Sequence, residues 1–156
     1  MKILLIHPEY PNTFWSFKYA LKFISKKATY PPLGLLTVAA LVPQHWEKKL
    51  IDMTVTSLEE SDIKWADYVF IGAMSIQKES VVKIINKCKN LGAKVAGGPL
   101  FTSGYKDFNN VDHFILNEAE ITLPYFLKDL KEGSPNMFTL QNNGQILQKP
   151  PFPFGN

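Results

Sequence analysis

The feature that most limits the fold of this chain is the alternation of short apolar runs with segments of helical periodicity. Five runs are typical of buried parallel strands, the second of them more weakly: residues 3–6, 49–53, 68–71, 94–96 and 113–116. Between them, apolar residues recur at helical spacing over residues 33–42, 77–91 and 122–132. The first of these segments is apolar nearly all round, which predicts a buried helix, and Pro124 is expected in the first turn of the last. This alternation predicts an α/β fold, in which helices cover both faces of a parallel sheet.

Length and charge narrow the class of protein. The 156 residues suit one domain, and 46% hydrophobic with 20% charged content is typical of a folded soluble chain. The net charge is +3, but every basic residue is a lysine, so the arginine that usually reads guanine edges is missing. We therefore expect no nucleic-acid partner. No apolar run approaches the roughly 20 residues that span a bilayer, so we expect a cytoplasmic protein without an integral membrane segment.

The single cysteine limits the chemistry of the chain. Cys88 shares helical spacing with Val81, Ile84 and Ile85, which predicts a small buried hydrophobe. One cysteine also excludes a disulfide and a cysteine-rich zinc or iron–sulfur site within these residues. No nucleophile–base pair is visible, so we do not expect the chain to be catalytic by itself.

Two segments depart from a plain α/β pattern. The first crossover holds about 25 residues, and within it Phe14, Phe17, Leu21 and Ile24 keep helical spacing. This predicts an extra helix, packed on the domain edge or acting as a lid. Near the other end, Asn143-Gly144 indicates a hairpin, followed by the proline-rich residues 149–154. We therefore assign residues 1–135 to a ligand-binding domain and 136–156 to a hairpin and a linker that leads to a missing domain.

Ligands of such folds bind at the carboxyl ends of the strands. The loop after the first strand lacks the glycine patterns that bind nucleotides, and it offers Pro8, Glu9 and Tyr10. The loop after the third strand offers Met74, Ser75, Ile76 and Gln77, although Ser75 could instead cap the next helix. The next two loops offer Gly97, Gly98 and Pro99, then Asn117 and Glu118. Glycines let a bulky ligand approach the backbone, whereas Glu118 and Glu120 could simply favour a helix start.

Three spaced motifs resemble the B12-binding domains of radical SAM proteins. They are Pro31-Pro32-Leu33-Gly34-Leu35-Leu36, Gly97-Gly98-Pro99 and Glu118-Ala119-Glu120-Ile121-Thr122. Residues 8–17 are similar to a subgroup that includes hopanoid C-2 methylase-like proteins. The resemblance departs from the family pattern at Leu100, where histidine is common, and at Asn117, where glycine is usual.

The resemblance implies a flavodoxin-like, doubly wound sheet of five parallel strands in the order 2-1-3-4-5. Cobalamin would lie over the strand ends, with its nucleotide tail beside Gly97 and Gly98. A downstream barrel would bind a [4Fe-4S] cluster and S-adenosylmethionine, so the parent enzyme would be a methyltransferase or a related C–C bond-forming enzyme. The alternative is a non-catalytic ligand-sensing or interaction domain of the same topology, although the acidic cluster of a phospho-receiver is missing.

His7 is the one candidate for a protein ligand to cobalt. Related B12 domains use a DxHxxG loop, but here Leu5 precedes His7 by two residues and Tyr10 follows by three. The acid that would orient the imidazole is therefore absent. We expect cobalamin to be bound with its base displaced and without a histidine ligand, and we expect no metal-ligating residue in the chain.

Overall fold

The structure, a computed structural model, describes residues 1–11, 31–88, 93–142 and 145–149. Seven strands are described: β1 Lys2–His7, β2 Glu47–Asp52, β3 Tyr68–Gly72, β4 Ala93–Gly97, β5 His113–Ile115, β6 Phe138–Asn142 and β7 Gln145–Lys149. Five α-helices connect them: α1 Leu33–Leu41, α2 Glu60–Trp65, α3 Lys78–Lys87, α4 Pro99–Gly104 and α5 Ala119–Lys131. Short 3₁₀ turns at Ser75–Gln77 and Tyr105–Asp107 adjoin α3 and α4.

All seven strands form one sheet, in the order β2-β1-β3-β4-β5-β6-β7. Pairing is parallel from β2 through β6, and β7 returns antiparallel to β6. The carboxyl ends of β1, β3, β4 and β5 therefore lie along one edge of the sheet. The predicted α/β class with a parallel sheet is confirmed, and the arrangement is consistent with a flavodoxin-like fold.

Alternate residues of the strands build two cores on opposite faces of the sheet. Leu4 and Ile6 point to the face covered by α2, α3 and α4, whereas Ile3 and Leu5 point to the face covered by α1 and α5. Strands covered on both faces read as continuous apolar runs, which is why the sequence shows them so clearly. Cys88 is fully buried in the first core, as its spacing predicts.

The hairpin extends the sheet, so the sheet has seven strands and not the five that we expected. β6 pairs with β5 through Phe114↔Phe138 and Ile115↔Thr139. Strand pairing depends on tertiary contacts, which the polar hairpin sequence does not reveal. Helices α2 and α4 were also missed, because each has only six residues and too few turns to show a period.

Two expectations about the helices are wrong. α5 begins at Ala119, three residues earlier than expected, so Pro124 lies inside the helix and removes one backbone hydrogen bond. α1 is apolar but not buried: of its side chains Leu35 is buried, whereas Leu33 is 68% exposed. Continuous apolar sequence therefore did not imply burial here.

Some expectations fall on parts of the chain that lie outside the described residues. These are the helix in the first crossover, over residues 12–30, and the proline-rich segment after Lys149. Among the described residues, no helix is both long and apolar enough to cross a membrane.

Candidate functional site

A cleft of about 1190 Å³ lies at the carboxyl edge of the sheet, between α1 and α5. Its floor is apolar and includes Phe70, Ile115 and Leu123, which belong to the core under these two helices. Four segments that follow β1, β3, β4 and β5 border it, residues 8–10, 73–77, 98–102 and 116–118, and we call them the rim. Drug-sized ligands occupy pockets of about 300–1,000 Å³, so this cleft can take a larger molecule.

Gln77 connects the first two segments of the rim. Its side chain is fully buried, and its Oε1 accepts a hydrogen bond from the backbone N–H of Met74 at 2.9 Å. Its Nε2 donates to the carbonyl oxygen of Pro8 at 2.5 Å. A backbone N–H can only donate and a carbonyl can only accept, so these partners fix the orientation of the amide.

This orientation determines the state of His7. The second proton of Gln77 Nε2 faces His7 Nε2 at 3.5 Å, the long limit of a hydrogen bond, and His7 Nε2 then acts as the acceptor. Partial burial lowers the pKa of His7, while the nearby Asp52 carboxylate opposes the shift. When the imidazole is neutral, its proton therefore lies on Nδ1, with Nε2 turned toward Gln77.

Gly98 holds the second and third segments of the rim together. It adopts φ = 93°, in the left-handed region, and a Cβ there would lie 3.0 Å from the carbonyl oxygen of Ala73. The same oxygen accepts a hydrogen bond from the N–H of Leu100 at 3.1 Å. Glycine is therefore required here by the packing of two loops, a reason that the sequence motif does not show.

The last rim segment contains a left-handed residue that is not glycine. Asn117 has φ = 66°, and its N–H donates to Thr102 Oγ1 at 2.9 Å. Asparagine tolerates this conformation better than other side chains, so the residue keeps the turn that glycine makes in the family it resembles. Glu118 follows as the residue before the first turn of α5, and its carbonyl accepts from the Thr122 hydroxyl.

The charge around the cleft has one sign. Its ionisable lining residues within the described ranges are Glu118, Glu120, Tyr10 and His7, and no lysine is among them. Strongly anionic ligands such as nucleotide di- and triphosphates need cationic or glycine-rich cradles. The site therefore suits a large and largely apolar ligand better than a strongly anionic one.

The structure brings eight of the twelve candidate residues to the wall of the cleft: Tyr10, Met74, Gln77, Gly97, Gly98, Pro99, Asn117 and Glu118. Pro8, Glu9, Ser75 and Ile76 lie on the rim but not in the wall. Pro8 is buried behind it, and Glu9 and Ser75 are exposed. Ser75 makes no cap, because Gln77 occupies that role.

Some lining residues were missed. Pro31, Pro32, Leu33 and Gly34 form one wall of the cleft, and Thr102 contributes to the opposite side. The first four belong to the motif at residues 31–36, which carries the family resemblance but supplied none of the predicted site residues. Thr102 carries no sequence signal of its own. In the described ranges, no group of three or more histidine, cysteine, aspartate or glutamate side chains could hold a metal ion.

Comparison with known proteins gives two curated relatives. Over 136 residues, 85% of this chain, it is 43% identical to an uncharacterized methyltransferase of Synechocystis sp.. The two proteins are homologous over this range. Over 119 residues, 75% of this chain, it is also 29% identical to the hopanoid C-2 methylase of Rhodopseudomonas palustris.

These alignments cover only part of each relative. The chain spans about a quarter of their length, 25% of the first and 23% of the second. No family model matches the sequence, and no solved structure matches it. Both relatives are thus named for methylation, and this chain aligns with about a quarter of each.

Proposed function

We propose that this chain is the cobalamin-binding domain of a B12-dependent radical SAM methyltransferase, or of a related C–C bond-forming enzyme. Residues 1–135 bind the cofactor, and the residues after 135 lead to a domain that binds S-adenosylmethionine and a [4Fe-4S] cluster. The observation that carries this proposal is the cleft of about 1190 Å³ at the carboxyl edge of the sheet. Three motifs that resemble B12-binding domains converge on that cleft.

The residues present fit a corrin cofactor in three respects. The cleft is larger than the range typical of drug-sized ligands, and its floor is apolar. Gly34 leaves open space where a Cβ would stand, with no atom within 4 Å. The carboxylates of Glu118 and Glu120 are acceptors, which suits the amide N–H groups around a corrin.

The same residues argue against a flavin or a nucleotide. A flavodoxin-like fold binds the phosphate of its cofactor through a loop rich in hydroxyls and glycine, and here the loop after β1 contains Pro8, Glu9 and Tyr10. Together with the acidic rim, this loop disfavours a terminal phosphate.

The position of His7 supports binding without a histidine ligand to cobalt. Its Nε2 faces the Gln77 amide, which is itself fixed by Met74 and Pro8. Ligation through this nitrogen would require it to give up its contact with Gln77. Asp52, which follows at the end of the neighbouring strand, affects the charge of His7, but no hydrogen bond between them was found in the described structure.

The chain's own contribution is therefore binding, orientation and exclusion of water. The apolar floor would desolvate one face of the ligand, Gly97 and Gly98 would let its tail approach the backbone, and the rim would fix its rotation. Bound cobalamin would supply a methyl carrier at cobalt, and that chemistry belongs to the cofactor. The downstream barrel of the same polypeptide would be the partner that supplies the radical.

Titration of the purified chain with hydroxocobalamin tests the proposal. We expect stoichiometric binding, with a visible spectrum in which the dimethylbenzimidazole is displaced from cobalt. Flavin mononucleotide, titrated under the same conditions, should not bind, because its phosphate would meet an acidic rim.

His7→Ala is the matched variant for the ligation question. We expect it to bind hydroxocobalamin with nearly the same affinity and the same spectrum as the parent chain. A spectral change in this variant would make His7 a cobalt ligand, and no binding by the parent chain would refute the central proposal.

A further inference from the structure

Thr102 differs from Thr37 and Ser103, two other hydroxyl side chains that line the cleft. Thr37 and Ser103 each donate their proton to the carbonyl oxygen four residues earlier in their own helix. The Thr102 oxygen instead accepts a bond from the N–H of Asn117, at 2.9 Å, across the gap between two rim segments. Within the described structure, its proton has no acceptor that would hold it away from the cleft.

The bond joins the two segments at the point where backbone conformation is least favourable. Thr102 lies in the first turn of α4, where its N–H binds the carbonyl of Gly98. Asn117 is a left-handed residue with φ = 66°, a conformation that is unfavourable for an ordinary side chain. An acceptor for its N–H stabilises this turn, and the turn sets the position of Glu118 and the start of α5.

We propose that Thr102 is a positioning residue that also recognises the ligand: its oxygen holds the Asn117 turn while its proton binds an amide carbonyl of the bound molecule. This inference rests on the proposed function for the identity of the ligand, because a corrin carries amide carbonyls around its edge. The positioning half concerns this chain alone. It assigns a role to the β5 side of the rim, where the family motif is altered at Asn117.

Thr102→Val and Thr102→Ser separate the two roles from simple packing. Valine keeps the shape of threonine but can neither accept nor donate, whereas serine keeps the hydroxyl. Hydrogen exchange of the free chain gives a readout that needs no ligand. We expect the Asn117 amide to exchange about tenfold faster in Thr102→Val, as loss of one hydrogen bond predicts, and at the parent rate in Thr102→Ser.

Hydroxocobalamin affinity gives the second readout. We expect a dissociation constant about tenfold higher for Thr102→Val, and a value within about twofold of the parent for Thr102→Ser. Ser103→Ala is the control, because its proton is already used within α4 and its loss should leave the affinity within about twofold.

The outcomes distinguish this inference from the proposed function. Unchanged Asn117 exchange in Thr102→Val would refute the positioning role, whether or not cobalamin binds. A parent chain that binds cobalamin, with Thr102→Val binding equally well, would refute ligand recognition by Thr102 and leave the proposed function intact. If the parent does not bind cobalamin, the proposed function and the ligand half fall together, and the exchange result alone decides the positioning half.

Discussion

The two ends of the rim are built differently, although each is held by one polar side chain. At the β1 side, Gln77 is fully buried and binds the backbone of two separate segments. At the β5 side, Thr102 is exposed and binds one backbone N–H. A hydrogen bond in water competes with solvent, but a buried donor or acceptor that loses its partner carries the full desolvation penalty.

Gln77 and Thr102 thus both connect neighbouring segments of the rim, but we expect them to contribute very differently to the free energy of unfolding. The Gln77 connection determines whether the β1 and β3 loops fold together at all. The Thr102 connection adjusts a turn that water could also solvate. Between them, Gly98 packs directly on Ala73 and allows no side chain. The three predictions that follow test this order, from the largest expected effect to the smallest.

Replacement of Gly98 should have the largest effect. Gly98→Val places a β-branched residue at φ = 93° with its Cβ 3.0 Å from Ala73 oxygen. Backbone strain of about 1–2 kcal/mol and overpacking of about 1–3 kcal/mol predict a loss of roughly 2–5 kcal/mol in the free energy of unfolding. Urea denaturation measures this loss, and cobalamin binding should disappear with it.

Gly34→Ala is the matched control for that variant. A Cβ at Gly34 meets nothing within 4 Å, and the residue lies inside α1. Alanine should therefore stabilise the chain by about 0.5–1 kcal/mol, through the lower entropy of its unfolded state. If Gly98→Val and Gly34→Ala had the same free energy of unfolding, that result would contradict the close packing of the loops that follow β3 and β4.

Gln77→Leu against Thr102→Val tests the two ends of the rim directly. Leucine would leave the Pro8 carbonyl, in a buried bond, and the Met74 N–H, in a partly buried bond, without Gln77, which predicts a total loss of about 1–3 kcal/mol. Thr102→Val exposes one N–H to water and should cost less than about 1 kcal/mol. Urea denaturation measures the loss in the free energy of unfolding for each variant. Equal losses would contradict the expected difference between the buried Gln77 and the exposed Thr102.

The pH dependence of stability should show the smallest effect. Burial lowers the pKa of His7, so the unfolded chain binds this proton more readily than the folded chain. Stability from this group is therefore complete above the unfolded pKa of about 6.5 and is lost as the pH falls through that value. Protonation would also make His7 Nε2 a second donor facing the Gln77 amide.

Urea denaturation of the parent and of His7→Asn between pH 7.5 and 5 measures this contribution. The parent should lose more stability than the variant on acidification, by no more than about 1.4 kcal/mol per pH unit, the limit for one proton. A parent that gains stability over this range relative to the variant would contradict a lowered pKa of His7.

The strands could be predicted from sequence because burial on both faces makes them continuous in apolar character. The runs at residues 3–6 and 68–71 lie within β1 and β3, with small differences at their ends. The short helices α2 and α4 could not be predicted, because six residues make too few turns to show a helical period. The start of α5 was missed because Pro124 reads as a first-turn residue, whereas the structure tolerates it inside the helix.

The candidate site was predictable by position but not by role. Any residue at the carboxyl end of a parallel strand is brought to one edge, so eight of the twelve candidates reach the cleft wall. The role of Gln77 depends on which backbone groups its side chain contacts. One of them, the Pro8 carbonyl, lies 69 residues away from Gln77 in the sequence. The close approach of Gly98 to Ala73 likewise exists only in the folded chain.

The outer strand β2 affects how the chain behaves at high protein concentration. An unpaired parallel edge is a template for aggregation, and β2 borders one side of the sheet. Its sequence, Glu47-Lys48-Lys49-Leu50-Ile51-Asp52, places charges along most of that edge, with Lys49 paired to Asp62. Another sheet would have to bury these charges to add to β2, so this border of the molecule resists edge-to-edge growth.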